Sequence, residues 1–420
     1  MHIAIVGSGI SGLLCAHLLH PQHDITIFEA NHYPGGHANT VIADDPTGPQ
    51  AIDTGFIVFN RANYPNFNRL LEALNVSTRP TEMSFSVQCE KSRLEYCGSS
   101  LNGLFSQRRN LVSGHHWRMI LDILRFNRRA LALAHNCDHS MTIRDFLEKH
   151  PFGERFTNSY FLPMGAAIWS CPTTDFAEFP VRFIVDFFHN HGLLQIRDRP
   201  TWRTIDGGSA RYVRELSTPF RDRIRLKTPV TSVLRNPDHV VVETATSPAE
   251  RFDEVIMACH SDQALSLLGD SDPSEREILS AFPYGNNKAV LHTDHSVLPS
   301  RRRAWASWNY FVSGNENTRP SVTYNMNILQ GLRSDQTFCV TLNDNGRIDP
   351  EHIIREFQYA HPVFSADQHR AQSRHGELIR HRRTSFCGAY WGNGFHEAGV
   401  NSAMAVCRTF GVELSHTQHT

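Results

Sequence analysis

The sequence predicts an α/β protein of two interleaved domains. The first thirty residues contain a strand–helix–strand pattern around a glycine motif, and strand patterns return after residues 204 and 376. The 420 residues also exceed what one hydrophobic core usually sustains. We therefore expect a Rossmann-like domain built from residues 1–62, 204–274 and 376–420, interleaved with an α+β domain built from residues 63–203 and 275–375.

A glycine motif follows the first predicted strand. Residues 3–6 are an apolar run typical of a buried parallel strand, and Gly7, Gly9 and Gly12 follow it at G-x-G-x-x-G spacing. A helix is expected over residues 11–20, because a proline comes directly after them. In this motif the three glycines allow a tight turn, close approach to a pyrophosphate and close packing of the helix on the strand.

The second predicted strand, residues 24–28, ends in Glu29, seventeen residues beyond the last glycine of the motif. An acidic residue at this position typically binds the hydroxyls of a ribose. Ser8 and Ser11 lie near the predicted helix N-terminus, which offers unpaired N–H groups to phosphates, and Ala30 follows the acidic residue. The unit therefore predicts a bound dinucleotide.

A second glycine doublet, Gly35 and Gly36, lies six residues past Glu29 and is followed by His37. Such a doublet lets the backbone approach the same pyrophosphate from its other side. Nicotinamide-binding units have no regular need for this doublet, whereas flavoproteins do. FAD is therefore the expected dinucleotide.

Residues 29–40 resemble the E-x(5)-G-G-R-x-x-T signature of FAD-dependent amine oxidases, phytoene desaturases and protoporphyrinogen oxidases. This sequence has His37 where most of that superfamily has Arg. An Arg holds a phosphate with two hydrogen bonds, whereas a neutral imidazole donates only one. The resemblance implies a glutathione-reductase-like or amine-oxidase-like fold, with His37 at the phosphates.

Later motifs resemble one bacterial branch of this superfamily, in the same order along the chain. They lie at residues 52–60, 305–310, 323–327 and 386–397. Members of the branch are commonly encoded beside cyclopropane-fatty-acid-synthase-like methyltransferases. Some are implicated in desaturating methyl-branched acyl chains during furan fatty acid formation. The resemblance implies a lipid or fatty acyl substrate and a methyltransferase partner.

The resemblance also assigns cofactor contacts outside the first strand–helix–strand unit. The backbone of residues 53–56 would lie at the flavin edge near its reactive nitrogen, and the backbone of Val230 would meet the adenine. A helix from about residue 399 would point its N-terminus at the flavin pyrimidine, where reduced flavin gathers negative charge. The full set is Thr54, Gly55, Phe56, Val230, Gly388, Ala389, Tyr390, Gly399, Val400 and Ser402.

No second G-x-G-x-x-G motif follows an apolar strand, so the organic substrate itself or a visiting donor must reduce the flavin. We expect hydride transfer from a substrate carbon to flavin N5 and loss of a proton from the neighbouring position. The candidate proton acceptors are His396 and Glu397 first and Tyr310 next. Deprotonation after hydride loss could also proceed without a dedicated base.

Three functions remain open at this point. They are desaturation of a lipid acyl chain, oxidation of a small amine, and a non-catalytic flavoprotein that acts as a scaffold for a methyltransferase. An amine oxidase usually keeps a Lys near flavin N5. Lys288 is the only lysine between residues 228 and 420, which weakens the amine hypothesis.

The composition excludes several classes of partner. Lysine and arginine total 41 against 42 acidic residues, a formal charge of -1, which gives no electrostatic case for nucleic acid. Nine cysteines without a C-x-x-C pair, and histidines without H-E-x-x-H spacing, predict no metal site.

The sequence also predicts where the protein is located. The chain has no run of eighteen apolar residues, and its first strand leaves no room for a signal peptide, so we expect a cytoplasmic protein.

Residues 115–129 predict a basic amphipathic helix. Four apolar residues recur at helical spacing, and charged residues follow one another on another face. The apolar residues are Trp117, Ile120, Leu121 and Leu124, and the charged ones are Arg118, Asp122, Arg125 and Arg129, with Arg108, Arg109 and Arg128 nearby. Such a helix can lie on an anionic membrane surface, or it can be the solvated face of an ordinary helix. The first interpretation would hold the protein peripherally on the inner face of the membrane.

Overall fold

The structure, a computed structural model, describes residues 1–136, 140–169, 171–195, 200–314, 321–363 and 366–414. Its strands are β1 (His2–Val6), β2 (Asp24–Phe28), β3 (Thr40–Ala43), β4 (Gln50–Asp53), β5 (Phe59–Asn60), β6 (Thr78–Pro80), β7 (Phe85–Cys89), β8 (Leu94–Cys97), β9 (Trp202–Ile205), β10 (Ile224–Arg225), β11 (Val230–Arg235), β12 (Val240–Thr244), β13 (Glu250–Phe252), β14 (Glu254–Met257), β15 (Tyr284–His292), β16 (Trp308–Val312), β17 (Ser321–Asn325), β18 (Cys339–Leu342), β19 (Ile353–Pro362) and β20 (Thr384–Phe386).

The α-helices are α1 (Ile10–Leu19), α2 (Pro65–Ala73), α3 (Leu101–Leu104), α4 (Gly114–His135), α5 (Ile143–Lys149), α6 (Glu154–Phe156), α7 (Leu162–Trp169), α8 (Thr173–Phe176), α9 (Val181–Asn190), α10 (Ala210–Ser217), α11 (Ser261–Leu267), α12 (Pro273–Ser280), α13 (Met326–Leu329), α14 (Ala366–Ser373) and α15 (His396–Arg408). A π-helical stretch, Thr157–Phe161, joins α6 to α7. Short 3₁₀ helices lie at Arg108–Val112, Thr218–Arg223, His295–Val297, Arg302–Ala304, Pro350–His352, His375–Leu378 and Ala389–Trp391. Among the residues described, no helix combines the length and apolar character needed to cross a bilayer.

A five-stranded parallel sheet forms the nucleotide-binding domain, in the order β10-β2-β1-β14-β20. Successive side chains of β1 point to opposite faces of the sheet. Ile3 and Ile5 pack with α1 and α15, whereas Ala4 and Val6 pack with β11, β12 and α12. Because both faces are covered, the strands are apolar throughout rather than alternating.

The chain changes sheets between β10 and β11. Lys227 adopts a left-handed backbone conformation with φ of 53°. Pro229 follows and has no N–H to donate to a ladder. As a result β10 pairs with β2, while β11 pairs with β12 in a separate sheet.

The second domain contains a seven-stranded sheet in the order β19-β15-β18-β17-β16-β7-β8. The pairing of β16 with β7 is parallel and the other pairings are antiparallel. Helices α4 to α9 form the rest of this domain around a core rich in fully buried phenylalanines. These include Phe126, Phe146, Phe156, Phe161, Phe176 and Phe188.

Helix α2 packs with the nucleotide-binding domain, although the expected boundary of residue 62 precedes it. Phe67, Leu70 and Leu71 are buried in the core that contains α1 and α15. Strand β6 also returns to this domain by pairing with β9. The apolar stripe of α2 suits either core, so its partner depends on long-range packing that local sequence does not encode.

Candidate active site

A cavity of about 850 Å³ extends from the glycine loops of the nucleotide-binding domain into the second domain. Most of the residues predicted to contact the cofactor line it. They are Gly7, Ser8, Gly9, Ser11, Glu29, Ala30, Gly35, Gly36, His37, Thr54, Gly55, Phe56, Val230, Gly388, Ala389 and Tyr390. The cavity therefore unites motifs from both ends of the chain.

The first glycine loop has the shape that a pyrophosphate requires. Gly7 has φ of 103°, and a Cβ there would lie 2.9 Å from the carbonyl oxygen of Ala258. At Gly12 a Cβ would come within 2.0 Å of the Gly7 carbonyl oxygen, so the loop and α1 can pack this closely only without a side chain. A Cβ on Gly9 would meet nothing within 4 Å, because this position faces the open cavity.

Glu29 is held in place by the glycine loop. One carboxylate oxygen accepts hydrogen bonds from the Ser8 N–H at 2.9 Å and the Ser8 hydroxyl at 2.6 Å. The other accepts the Asn31 N–H at 2.8 Å. Since a carboxylate offers about four acceptor positions, Glu29 retains capacity for a ribose hydroxyl. Val230, at the start of β11, lines the same end of the cavity.

The second glycine doublet lies directly against the first loop. The Gly35 N–H donates to the Ser8 carbonyl at 2.9 Å, and a Cβ on Gly36 would stand 3.3 Å from the Gly9 Cα. The His37 carbonyl accepts the Phe56 N–H at 2.8 Å, with Gly55 packed against it. The two glycine segments and the residues that follow β4 thus form one continuous backbone surface.

The His37 side chain is enclosed by other rings. Its ring centroid lies 4.8 Å from that of Tyr359, 5.3 Å from His361 and 6.2 Å from His260. Burial and these neighbouring histidines hold the pKa of His37 well below its usual range. Its Nε2 is buried and has no partner among the described residues. An unpartnered nitrogen in the wall of a glycine-lined cavity fits a phosphate contact, so the residues present suit FAD.

Asp53 fixes the segment that carries Thr54, Gly55 and Phe56. Its buried carboxylate accepts hydrogen bonds from the Ser209 N–H at 2.7 Å, the Ser209 hydroxyl at 2.8 Å and the Gln330 amide at 3.1 Å. Burial raises the pKa of Asp53 to about 6. The carboxylate therefore ties the end of β4 to both domains.

Helix α15 begins at His396, three residues earlier than the expected start at Gly399. The N–H groups of Ala398 and Gly399 both donate to the Phe395 carbonyl, so Gly399 is not a free donor at the helix end. Gly399 packs closely on α1, because a Cβ there would lie 2.9 Å from Ile10.

Four predicted cofactor residues lie behind the cavity wall rather than in it. Ser402 accepts the Gly388 N–H at 2.9 Å and so fixes the turn that follows β20. Val400 is fully buried in the core. Gly12 and Gly399 permit the close crossing of α1 with its neighbours. These residues support the wall, and no described contact brings them to its inner surface.

Of the three predicted proton acceptors, only His396 lines the cavity. Its ring stacks on Phe56, and its Nε2 lies 2.9 Å from the Tyr212 hydroxyl. Burial lowers the pKa of His396 to about 3, so the ring is neutral at physiological pH.

Glu397 and Tyr310 occupy structural positions. The two Glu397 carboxylate oxygens accept the N–H groups of Asn66 at 3.0 Å and Phe67 at 2.9 Å, which cap the first turn of α2. Tyr310 lies in the core of the second domain, and its hydroxyl has no partner among the described residues. Neither side chain is part of the cavity lining, which disagrees with their expected role as proton acceptors.

Several residues that line the cavity lie in no motif that the sequence reveals. Tyr359 and His361 lie two residues apart on β19, and therefore on one face of that strand, with His260 opposite. The period-two spacing was the only available signal. His191 lines the other end of the cavity beside Phe187, with their ring centroids 3.8 Å apart.

One group that could hold a metal ion is present among the described residues, outside the cavity. Asp272, Glu275 and His381 place ligand atoms within 4.8 Å of one another. His381 lies 2.7 Å from Asp272, and Glu275 forms a buried ion pair with Arg235. These contacts, with the capping box at the start of α12, account for the cluster.

Residues 10–409 match the family model described as flavin containing amine oxidoreductase. The chain belongs to this family. As a flavin-containing amine oxidoreductase it has FAD as its cofactor and is an oxidoreductase. The cavity's glycine walls, Glu29 and His37 are the parts of this chain suited to hold that cofactor.

Solved structures share the fold of this flavin-containing amine oxidoreductase. Putrescine oxidase bound to putrescine matches with a TM-score of 0.68 at 13% identity, over 98% of this chain and 99% of that chain. Cyclohexylamine oxidase from Brevibacterium oxydans IH-35A matches with a TM-score of 0.66 at 15% identity, over 98% and 99%. The CLA-producing fatty acid isomerase from P. acnes matches with a TM-score of 0.65 at 15% identity, over 97% and 98%. At these identities the likeness establishes a common amine-oxidase-like fold.

Proposed function

We propose that this oxidoreductase desaturates a lipid or methyl-branched fatty acyl chain. The supporting observation is the lining of the cavity beyond the glycine loops, which is apolar and aromatic. It includes Met83, Phe85, Ile120, Ile123, Leu124, Met164, Ile168, Phe187, Leu193, Trp308, Leu329 and Leu342. Among the described residues, this part of the lining contains no carboxylate, lysine or arginine. Such a surface favours hydrocarbon over a charged substrate.

The reaction removes a hydride from one substrate carbon and a proton from its neighbour, leaving a carbon–carbon double bond. Bound FAD supplies the hydride acceptor, flavin N5. Oxygen, a quinone or a carrier then takes the electron pair. The apolar walls orient the chain. His396 is the one predicted acceptor within the cavity, and its low pKa makes it a weak base, so we assign the proton's final destination to water.

Oxidation of an uncharged amine is the second candidate. Trp308 and Tyr324 line the cavity with perpendicular rings 5.0 Å apart, which offers an aromatic flank for a small substrate. Against it, Lys288 lies on the surface and pairs with Glu356 at 2.7 Å, so it supplies no lysine to the cavity. The scaffold hypothesis predicts a flavin that neither class of substrate reduces.

Anaerobic reduction of the flavin tests these functions. We expect extracted membrane lipids or free fatty acids to bleach the flavin absorbance, and a panel of amines to leave it unchanged. Ile123→Glu would put a charge in the apolar lining and abolish bleaching by acyl chains. Ile354→Glu is the matched control, because Ile354 is exposed on β19 outside the lining. Bleaching by amines alone would contradict the proposal.

A further inference from the structure

Exposed apolar side chains are concentrated on one stretch of the second domain. Ten large hydrophobic side chains are exposed among the described residues, and five of them lie within residues 101–121. These five, which we call the apolar face, are Leu101, Leu111, Val112, Trp117 and Leu121. Val112 is 90% exposed, Leu101 76% and Leu121 62%. Single exposed apolar residues need no explanation, whereas a cluster marks an interaction surface.

The apolar face belongs to a connected stretch of structure. The Trp117 indole N–H donates to the Leu111 carbonyl at 2.8 Å, and its ring lies 5.1 Å from Phe105. Leu121 follows Trp117 by one helical turn, so both project from the same side of α4. The 3₁₀ helix Arg108–Val112 and the start of α4 therefore present one surface.

The charge around the apolar face is positive. Residues 101–129 contain six arginines and a single carboxylate, Asp122. Asp122 is within ion-pair distance of Arg118 and Arg125, so those two arginines are partly neutralised. The remaining four have no carboxylate within ion-pair distance among the described residues. They are Arg108, Arg109, Arg128 and Arg129.

The adjoining side of α4 belongs to the cavity wall. Ile120, Ile123, Leu124 and Asn127 line the cavity, although the sequence suggested that Ile120 and Leu124 would enter a membrane. Gly98 and Ser99 also line it and are exposed, immediately before Leu101. The cavity therefore reaches the surface beside the apolar face.

We propose that the apolar face docks on an anionic lipid bilayer and that acyl chains enter the cavity beside Gly98 and Ser99. The route of entry rests on the proposed function, whereas the docking does not. Exposed aliphatic and indole groups suit the headgroup boundary, and the four arginines without a carboxylate partner suit anionic headgroups. A protein partner or a second copy of the chain would not require this basic surround.

Liposome co-sedimentation of the FAD-loaded full chain tests the docking. Vesicles of phosphatidylcholine with phosphatidylglycerol are compared with vesicles of phosphatidylcholine alone, at low and high salt. We expect binding to the anionic vesicles at low salt and a marked fall at high salt, because salt screens the charges. The triple variant Leu101→Gln, Val112→Gln, Leu121→Gln should lower the partition coefficient by at least roughly tenfold.

The matched control is the triple variant Ile42→Gln, Leu226→Gln, Ile354→Gln, which removes exposed apolar side chains elsewhere. It should bind vesicles as the unmodified protein does. Changing Arg108, Arg109, Arg128 and Arg129 to glutamine should weaken binding to anionic vesicles by at least roughly tenfold and leave flavin content unchanged. Flavin absorbance verifies that each variant is folded.

Absence of binding by the unmodified protein, or equal loss in the apolar-face and control variants, would overturn the docking. So would a concentration-dependent dimer in sedimentation equilibrium that the apolar-face variant abolishes. Detergent-dispersed acyl substrate separates the two proposals. If it bleaches the flavin while vesicle binding fails, only the docking is wrong. If vesicles bind and no acyl substrate bleaches the flavin, the proposed function is wrong.

Discussion

The imidazole of His396 stacks on the ring of Phe56, with centroids 3.5 Å apart and ring planes 14° apart. This contact joins the segment after β4 to the start of α15, two parts of the chain separated by more than three hundred residues. The hydroxyl of Tyr212, a core residue, lies within hydrogen-bond distance of His396 Nε2. The stack therefore fixes the cavity wall where the two cofactor segments converge.

Gly9→Val should fold and lose FAD. Gly9 has φ of -67°, which valine can adopt, and its Cβ would enter the open cavity rather than the protein. We expect bound flavin per chain, measured by absorbance, to fall close to zero. Gly114→Ala, at another position with free space around the Cβ, should retain the full amount. A yellow Gly9→Val protein at normal stoichiometry would show that the dinucleotide lies elsewhere.

His37→Ala should weaken FAD binding by the equivalent of one hydrogen bond, on the order of 0.5–1.5 kcal/mol. The reason is the unpartnered Nε2 in the cavity wall. Equilibrium titration of the apoprotein with FAD measures the change. Unchanged affinity together with collapsed turnover would assign His37 to the chemistry instead.

FAD affinity should rise as pH falls through the pKa that His37 has in the FAD-bound protein. The pKa of His37 is far below its usual value in the protein alone, so the ring is neutral there. An adjacent pyrophosphate favours the protonated form, and binding then takes up a proton. His260, His361 and Glu29 border the same part of the cavity. Calorimetry in buffers of different ionisation enthalpy measures the uptake, which His37→Ala should reduce.

The apoprotein should lose stability as pH falls from 6.5 towards 4. Burial lowers the pKa of His292 and His361 to about 4 and that of His396 to about 3. Below 6.5 the unfolded chain binds protons at these histidines and the folded chain does not, so unfolding is favoured. At pH 5 each contributes a loss of about 2 kcal/mol.

Protonation of Asp53 changes the stability of the fold in the direction opposite to that of the three histidines, over part of the same pH range. Its pKa of about 6 in the folded protein exceeds the unfolded value, so acid stabilises the fold through this carboxyl. The three histidines together outweigh it. Urea unfolding at pH 7, 6 and 5 measures the sum, and His292→Gln should flatten the profile where a change at exposed His115 does not. A profile without slope would contradict the neutral burial of these rings.

Glu397→Ala should destabilise the protein without impairing flavin reduction. Loss of the carboxylate leaves the Asn66 and Phe67 N–H groups without acceptors, a cost of roughly 1–3 kcal/mol. Chemical unfolding and anaerobic flavin reduction separate the two effects. If Glu397→Gln reduced the rate a hundredfold at unchanged stability, Glu397 would belong to the reaction after all.

How well the sequence predicts the structure differs from one part of the chain to another. Strand β2 spans the residues that the sequence predicts, and α1 begins one residue earlier, because strand, glycine loop and helix are encoded contiguously. The start of α15 was misplaced by three residues, since Phe395 provides no side-chain cap to mark it. The surroundings of His37 depend on Tyr359 of β19, which lies more than three hundred residues further along the chain.

Helix α4 shows a second limit on what the sequence predicts. Its apolar residues were recognised as one stripe, yet Leu121 faces outward while Ile120 and Leu124 face the cavity. Adjacent apolar positions on a helix span a wide arc, so periodicity alone does not decide which side meets solvent. Only the placement of the neighbouring strands and helices resolves the two faces.

The order of the five-stranded sheet dictates when this protein can fold on the ribosome. Its central strand, β1, is flanked by β2 and by β14, and β14 is in turn covered by β20 at residues 384–386. Domains usually fold in the order of their synthesis, from the N-terminus onward. Here the sheet that begins at residue 2 is complete only after residue 386 has emerged. Until β20 has been synthesised, the nascent chain therefore leaves the edge of β14 that β20 covers in the folded protein without its partner.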